Sequence, residues 1–296
     1  MQSRHATRKE LQLNRRDAIK TLGVTLAGSA AAMEAINAQA TPGQKYDPLQ
    51  PPAPGSHPKH DMRSYAIPTV RQPVLILVYP GVNLLEVASV QQIFSRMGNT
   101  DVHLVWKTKE SINTDSDVTI QASDKFAEVE DDATILHVPG GSNGLSDVIT
   151  DKEVIAYLVK KAKKAKYITS TGSGSLVLAA AGLLNGYQAA GHWMTRDLLK
   201  LMGAKPLTRR VVKDRNRITA AGGAGALDFA FFVSTELRNA NMTAALTLAN
   251  EYDPQPVSKA GTPQTAPAAV TQMEWAMNAG LRDDLREAIL AVKSKK

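Results

Sequence analysis

Apolar residues follow two alternating patterns along the chain from residue 74 onward. Short continuous apolar runs, typical of strands buried on both faces of a sheet, predict strands at residues 74–79, 102–106, 133–138, 167–170, 211–212 and 217–220. Apolar positions at helical spacing predict helices at residues 84–97, 152–164, 175–184, 224–238 and 243–250. Residues 253–267 are predicted as loop and residues 268–296 as one or two terminal helices. Alternating strands and helices predict a mostly parallel sheet with helices on both faces, in which ligands bind beyond the carboxyl ends of the strands.

The first 40 residues have the pattern of an export signal. Arg15 and Arg16 precede a weakly apolar run at residues 21–33, and Ala38-Gln39-Ala40 follows as a cleavage motif. This order predicts a twin-arginine (Tat) signal peptide at residues 1–40, cleavage after Ala40 and a periplasmic location. An amphipathic helix and an uncleaved anchor are the alternatives. The apolar run is shorter than the ~20 residues that span a bilayer, so no stable membrane insertion is expected after cleavage.

Residues 41–72 form a proline-rich segment. Eight of the fifteen prolines of the chain lie between Pro42 and Pro73, which predicts an extended linker. His57 and His60 in this segment suggest a metal site. However, the proline between them prevents the helix that would align the two imidazoles, so we expect no metal here.

The composition excludes several kinds of chemistry. The chain has 296 residues and 43% hydrophobic and 21% charged residues, as ordinary globular proteins do. It contains no cysteine, which excludes disulfides, thiolate metal sites and a cysteine nucleophile. Without residues 1–40 it keeps 29 basic and 25 acidic residues, and most of the basic ones are dispersed, so nucleic acid is not an expected partner. The one dense basic run, residues 160–166, is predicted to be a solvated helix end.

Several short motifs together resemble a known family. They are Tyr79-Pro80-Gly81 with Leu85-Glu86, Val138-Pro139-Gly140-Gly141, the Gly/Ser-rich turn and apolar helix at residues 169–184, Gly191-His192-Trp193, Arg217-Ile218-Thr219-Ala220, and residues 251–256. This set resembles the DJ-1/PfpI superfamily, and within it the isocyanide hydratase-like branch, over about residues 73–265. The resemblance implies a flavodoxin-like three-layer α/β sandwich with a mostly parallel sheet, similar to class I glutamine amidotransferases. It also implies a homodimer that needs no cofactor. Residues 266–296 then form a C-terminal helical extension.

The resemblance places the family's catalytic groups on this sequence and reveals one departure. In the hydratases a cysteine thiolate attacks the isocyanide carbon and water releases an N-substituted formamide, with a carboxylate, usually Asp, beside the thiol. The carboxylate position falls on Glu86. The hydratase elbow is usually Val-Cys-Thr-Gly-Ser-Leu, whereas this chain has Thr171-Gly172-Ser173-Gly174-Ser175-Leu176. Gly172 therefore stands where the nucleophile should be.

A binding pocket is expected to remain without the thiol. Glycine enters the strained elbow conformation at little cost, so Gly172 should relax the turn. Gly140 and Gly141 let the backbone approach the same point, and Gly174 lies at the start of the elbow helix, whose N–H groups favour a polarised oxygen. Glu86 is either a pocket-facing, partly protonated group or a helix-dipole partner.

Ser173 and His192 offer an alternative chemistry. Ser173 with His192 as base and Glu86 behind it would make a hydrolase, provided that the base lies within hydrogen-bond reach of the serine. The other interpretations are that Ser173 or Ser175 caps the elbow helix and that His192 packs near a dimer contact or a helix end.

The sequence therefore predicts an exported, cofactor-free homodimer that binds or senses an unknown small molecule. The alternative is a hydratase or hydrolase that uses Glu86-activated water or Ser173. A transcription regulator is a third hypothesis, because related domains occur fused to helix-turn-helix modules. The export signal and the short remaining tail oppose it.

Overall fold

The computed structural model describes Leu49 and residues 62–294. The predicted signal at residues 1–40, nearly all of the predicted linker and the His57–His60 pair lie outside the described residues. Among the described residues, no helix has the length and apolar character needed to cross a membrane.

A seven-stranded sheet forms the centre of the domain. Its strands are β1 (Gln72–Leu77), β2 (Thr100–Trp106), β5 (Asp124–Lys125), β6 (Ile135–Val138), β7 (Tyr167–Thr171), β10 (Val211–Asp214) and β11 (Arg217–Ala220). They lie in the order β10-β11-β7-β6-β1-β2-β5, and every neighbouring pair is parallel except the antiparallel β10–β11 hairpin. The predicted mostly parallel sheet is confirmed.

Helices cover both faces of the sheet. They are α1 (Leu84–Phe94), α2 (Leu145–Thr150), α3 (Lys152–Ala162), α4 (Gly174–Ala180), α5 (Gly225–Leu237), α6 (Ala240–Ala249), α7 (Ala268–Met277) and α8 (Ala279–Lys293). The described residues also form two 3-10 helices, Met62–Tyr65 and Arg196–Met202. The elbow helix α4 is shorter than predicted, because the chain leaves it through Gly182, whose φ is +76°.

The sheet divides the apolar core into two layers. Leu75 and Leu77 of β1 point into a core shared with α2, α3, α4 and α8, whereas Val74 and Ile76 point into a second core with α1, α5 and α6. Alternate residues of a strand face opposite sides, so one apolar run supplies both layers. The result is the expected three-layer α/β sandwich.

Several small elements are absent from the sequence prediction. They are the hairpin β3 (Ser111–Asn113) and β4 (Thr119–Gln121), the pair β8 (Gln188–Ala189) and β9 (Lys205–Pro206), the edge strand β5 and helix α2. The strands among them have two or three residues each, too few for a periodic pattern. Two helices occupy the C-terminal region as predicted, and α8 buries Leu285, Ala288 and Ile289 against the domain.

The prediction of a solvated basic helix end is wrong at Lys161. Lys161 is in the last turn of α3, and its side chain is buried. Its ammonium group donates hydrogen bonds to the carbonyl oxygens of Val129 and Glu130 and to Asp131 Oδ1, at 2.7–2.9 Å. Helical periodicity assigns lysine to the surface. A lysine can nevertheless be buried when its aliphatic stem packs against apolar residues and its ammonium group reaches main-chain acceptors. Lys161 therefore fastens the 129–131 loop to α3.

Candidate functional site

The candidate site lies where four parallel strands end at one edge of the sheet. The segments after β1, β6 and β7 bring Glu86, Gly140 and Gly172 together, as expected for carboxyl ends of parallel strands. A fourth segment, after β11, adds Gly222 and Gly223. Sequence reasoning missed these two glycines. A glycine pair directly after a strand of the same sheet was the signal that could have found them.

Asn83 fixes the position of Glu86 at the start of α1. The Asn83 side chain caps the helix by accepting a hydrogen bond from the Glu86 N–H at 2.9 Å, and its own amide donates to Asp115. Glu86 is in the first turn of α1, but its side chain is only 3% exposed and points into the site. Glu86 is therefore both an acidic group in the first helical turn and a buried group directed at the ends of the strands.

Three donors hold the carboxylate of Glu86. The Gly140 N–H donates to Oε2 at 2.7 Å, the Gly223 N–H donates to Oε1 at 2.9 Å, and the Thr171 hydroxyl donates to Oε2 at 2.5 Å. Burial raises the pKa of Glu86 above its usual range, and the nearby charge of Asp115 raises it further, while the three hydrogen bonds act in the opposite direction. Sequence reasoning also missed the contact of Thr171 with Glu86.

Glu86 fills the space that a side chain at position 172 would need. Gly172 has a φ of +53°, and a Cβ atom there would lie 2.5 Å from Glu86 Oε1. Cβ atoms on Gly222 and Gly140 would lie 2.7 and 3.1 Å from the same oxygen. The first two contacts are shorter than Cβ atoms make and the third is tight, so a Cβ at these positions would require Glu86 to move. Glycines at these positions therefore let the carboxylate lie against the backbone of the elbow.

Ser173 is bound to the loop after β6 and does not contact a base. Its hydroxyl donates to the Gly141 carbonyl at 3.0 Å and accepts from the Gly141 N–H at 3.1 Å. Ser173 occupies the N-cap position of α4 without a side-chain capping bond. Ser175 instead donates to the Ala190 carbonyl at 2.8 Å. Ser173 thus stands at the predicted N-cap position, but neither hydroxyl caps the helix, because both bond to neighbouring loops.

His192 lies beside the site but hydrogen bonds to neither Ser173 nor Glu86. A Cβ atom on Gly222 would lie 3.2 Å from His192 Cδ2, and the His192 Nδ1 accepts a 3.4 Å hydrogen bond from the Met194 N–H. Burial lowers the pKa of His192, and the charge of Arg196 lowers it further, so the imidazole is neutral near pH 7. The Ser–His pairing required for a hydrolase is not present in this arrangement.

Gly174 has a packing role at the elbow. A Cβ atom on it would lie 2.2 Å from the Val138 carbonyl oxygen, so only glycine lets α4 begin this close to β6. Among the described residues, no group of three or more His, Asp or Glu side chains is arranged to hold a metal ion.

Comparisons with known proteins agree with this architecture. A model of the DJ-1/PfpI family matches residues 72–236. The chain is 34% identical over 194 residues to an isonitrile hydratase of Pseudomonas putida, which covers 66% of this chain and 84% of that enzyme. A THiJ/PfpI family protein from Pseudomonas syringae superposes with a TM-score of 0.75 at 34% identity, over 80% of this chain and 98% of that one. DJ-1beta of Drosophila melanogaster shares the fold at 21% identity and a TM-score of 0.57, over 62% of this chain and all of that one.

Proposed function

This chain belongs to the DJ-1/PfpI family, and from that premise we propose that it is a member without thiol chemistry that binds a small uncharged molecule beside Glu86. The observation that carries this proposal is the exchange at the elbow. Residue 172 has no side chain, and the Glu86 carboxylate occupies the space beside its Cα. The family resemblance aligns the nucleophile position with Gly172, and the Glu86 carboxylate beside it would offer a ligand a hydrogen-bonding group in place of a sulfur.

The environment of Glu86 favours an uncharged ligand. A carboxylate has about four lone-pair sites, so one that receives three hydrogen bonds can accept one more from a ligand N–H or O–H, and its charge repels anions. The similar P. putida protein is named for isonitriles, so an isocyanide and the corresponding N-substituted formamide are the first ligands to examine. A formamide offers the N–H donor that Glu86 can accept.

The test compares binding with turnover. The purified chain is incubated with an aliphatic isocyanide, formamide release is followed, and the melting temperature is recorded with and without each compound. We expect no formamide release above the uncatalysed rate and a saturable rise in melting temperature with the formamide. The Glu86→Gln variant should lose this rise. Formamide release that disappears in Glu86→Gln would overturn the binding proposal.

A hydratase that uses Glu86-activated water is the second candidate. One observation favours it, because a carboxyl group whose pKa is raised by burial is a better general base near neutral pH. Ser173 is a weaker candidate, since Gly141 takes both its donor and its acceptor capacity. Turnover that survives Ser173→Ala and vanishes in Glu86→Gln would identify the water mechanism.

Export and dimer formation belong to the same proposal. The twin-arginine motif at residues 1–40 supports transport to the periplasm, and the family resemblance supports a homodimer. Replacing Arg15 and Arg16 by lysine should retain the protein in the cytoplasm, as cell fractionation would show. Light scattering on the purified chain should give twice the mass of the polypeptide.

A further inference from the structure

The contacts of Glu86 form a complete carboxylate-binding arrangement. Each oxygen of the carboxylate accepts from a main-chain N–H, Oε2 from Gly140 and Oε1 from Gly223, and Oε2 also accepts from the Thr171 hydroxyl. All three contacts are donors, which suits a group that only accepts hydrogen bonds. We call Gly140, Thr171 and Gly223, with the glycines Gly172 and Gly222 that make room for the oxygens, the carboxylate seat.

The seat is built by the backbone rather than by cations. Its two N–H donors come from loops that follow different strands, β6 and β11, and Thr171 ends β7. Because these strands belong to one sheet, we expect the donors to keep their positions when the Glu86 side chain is shortened. Preorganised donors of this kind retain their affinity for a matching group supplied from outside.

We propose that the carboxylate seat is a binding site for short-chain carboxylates that the protein keeps closed with its own Glu86. The seat then accepts a planar carboxylate of formate or acetate size once the Glu86 side chain is shortened. In the wild-type protein Glu86 competes from within the chain at a high effective concentration, so external carboxylates are excluded. This inference concerns what occupies the seat and stands whether or not the uncharged ligand proposed above is found.

The experiment is a chemical rescue of the Glu86→Ala variant. Alanine removes four heavy atoms, the number that acetate supplies, and it is well tolerated in a helix. We expect Glu86→Ala to melt several degrees below the wild-type protein and acetate to restore part of the loss saturably, in the range of about 0.1–10 mM expected for so small a ligand. Formate should act more weakly because it lacks one carbon.

Matched controls separate the seat from general salt effects. Sodium chloride and neutral acetamide should not rescue Glu86→Ala, since acetamide would direct its own N–H groups at main-chain donors. Acetate should leave the wild-type protein unchanged, because Glu86 fills its seat. Adding Thr171→Val to Glu86→Ala should weaken acetate binding about tenfold through the loss of one hydrogen bond to a charged group.

Each outcome of the rescue decides the proposal. A Glu86→Ala protein that becomes soluble only with acetate present supports it as well as a shift in melting temperature does. A variant that stays insoluble in acetate, that is folded but shows no acetate-dependent rise in melting temperature, or that responds equally to chloride or acetamide, overturns it. The formamide titration of the wild-type protein does not involve this variant, so failure of either proposal is seen separately.

Discussion

Glu86 and Lys161 are oppositely charged side chains, both almost fully buried, in different parts of the molecule. Lys161 donates to two carbonyl oxygens and to the carboxylate of Asp131, whereas Glu86 accepts from two N–H groups and one hydroxyl. Each charged group therefore has three hydrogen-bond partners, two of them from the main chain. The lysine has a counter-charge, and the glutamate is bound by dipoles only.

This difference separates a structural contact from a site available for chemistry. Lys161 and Asp131 form an ion pair at the rim of α3 that holds a loop in place. Glu86 lies at the carboxyl edge of the sheet, where burial without a counter-charge leaves its pKa raised. A buried charge that is incompletely compensated at such an edge is the better candidate for function.

The Gly172→Cys substitution should produce the largest loss of stability. Its Cβ would lie 2.5 Å from Glu86 Oε1, and residue 172 has a φ of +53°. Overpacking and the left-handed backbone together should cost about 2–4 kcal/mol in the free energy of unfolding. Adding Glu86→Asp, which is one methylene shorter, should recover part of this loss and increase the rate of thiol alkylation. Urea unfolding and iodoacetamide labelling measure the two effects.

Gly186 provides a matched control for this prediction. Its φ is +77°, and a Cβ atom there would meet nothing within 4 Å. Gly186→Cys should therefore cost only the backbone strain, about 1–2 kcal/mol. If Gly172→Cys costs no more than Gly186→Cys, Glu86 does not occupy the space at the elbow.

Lys161→Met should have the next largest effect and leave the site unchanged. Methionine keeps most of the apolar stem but leaves the carbonyls of Val129 and Glu130 without their donor, which should cost about 2–3 kcal/mol. Lys160 also contacts Asp131 but is mostly exposed, so Lys160→Met should cost less than about 0.5 kcal/mol. Formamide binding measured by the melting temperature should be unchanged in both variants. A loss of binding in Lys161→Met would contradict the division between structural and functional charges.

The sequence predicts the framework of the site better than its chemistry. Apolar runs record burial on both faces of the sheet, so the strands and the meeting of Glu86, Gly140 and Gly172 follow from pattern and topology. The contacts of Glu86 depend on the conformation that its flexible side chain adopts next to Gly172, which has no Cβ. The periodicity of apolar residues carries no information about that conformation. Thr171 gave no signal because a threonine at the end of a strand is ordinary. Lys161 was predicted to be exposed because a periodicity analysis treats lysine as a polar residue and ignores its apolar stem, which allows it to be buried.

The stability difference between the wild-type protein and the Glu86→Gln variant should depend on pH. The folded-state pKa of Glu86 is raised, so the folded protein binds a proton that the unfolded chain releases near pH 4.5. The stability that protonated Glu86 contributes is complete below that pH and is lost as the pH rises through the folded-state pKa. The stability advantage of the wild-type protein over Glu86→Gln should therefore shrink from pH 4 upward. Urea unfolding of both proteins at a series of pH values measures this advantage. An advantage that grows with pH would contradict the prediction, because it would mean that the three hydrogen bonds lower the pKa of Glu86 more than burial raises it.

Ser173→Ala should have a small effect, and this effect should be on stability and not on ligand binding. The Ser173 hydroxyl pairs with the N–H and the carbonyl of Gly141, and it is bonded to no base. Losing it should cost about 1 kcal/mol, because the Gly141 N–H then lacks its partner. Formamide binding should be retained, since the donors that hold Glu86 lie on Gly140, Thr171 and Gly223. Melting curves of Ser173→Ala and Glu86→Gln with and without formamide make the comparison. Loss of binding in Ser173→Ala would show that the serine, and not only the buried carboxylate, is needed for binding. The difference in compensation between Glu86 and Lys161 would then not identify the binding site.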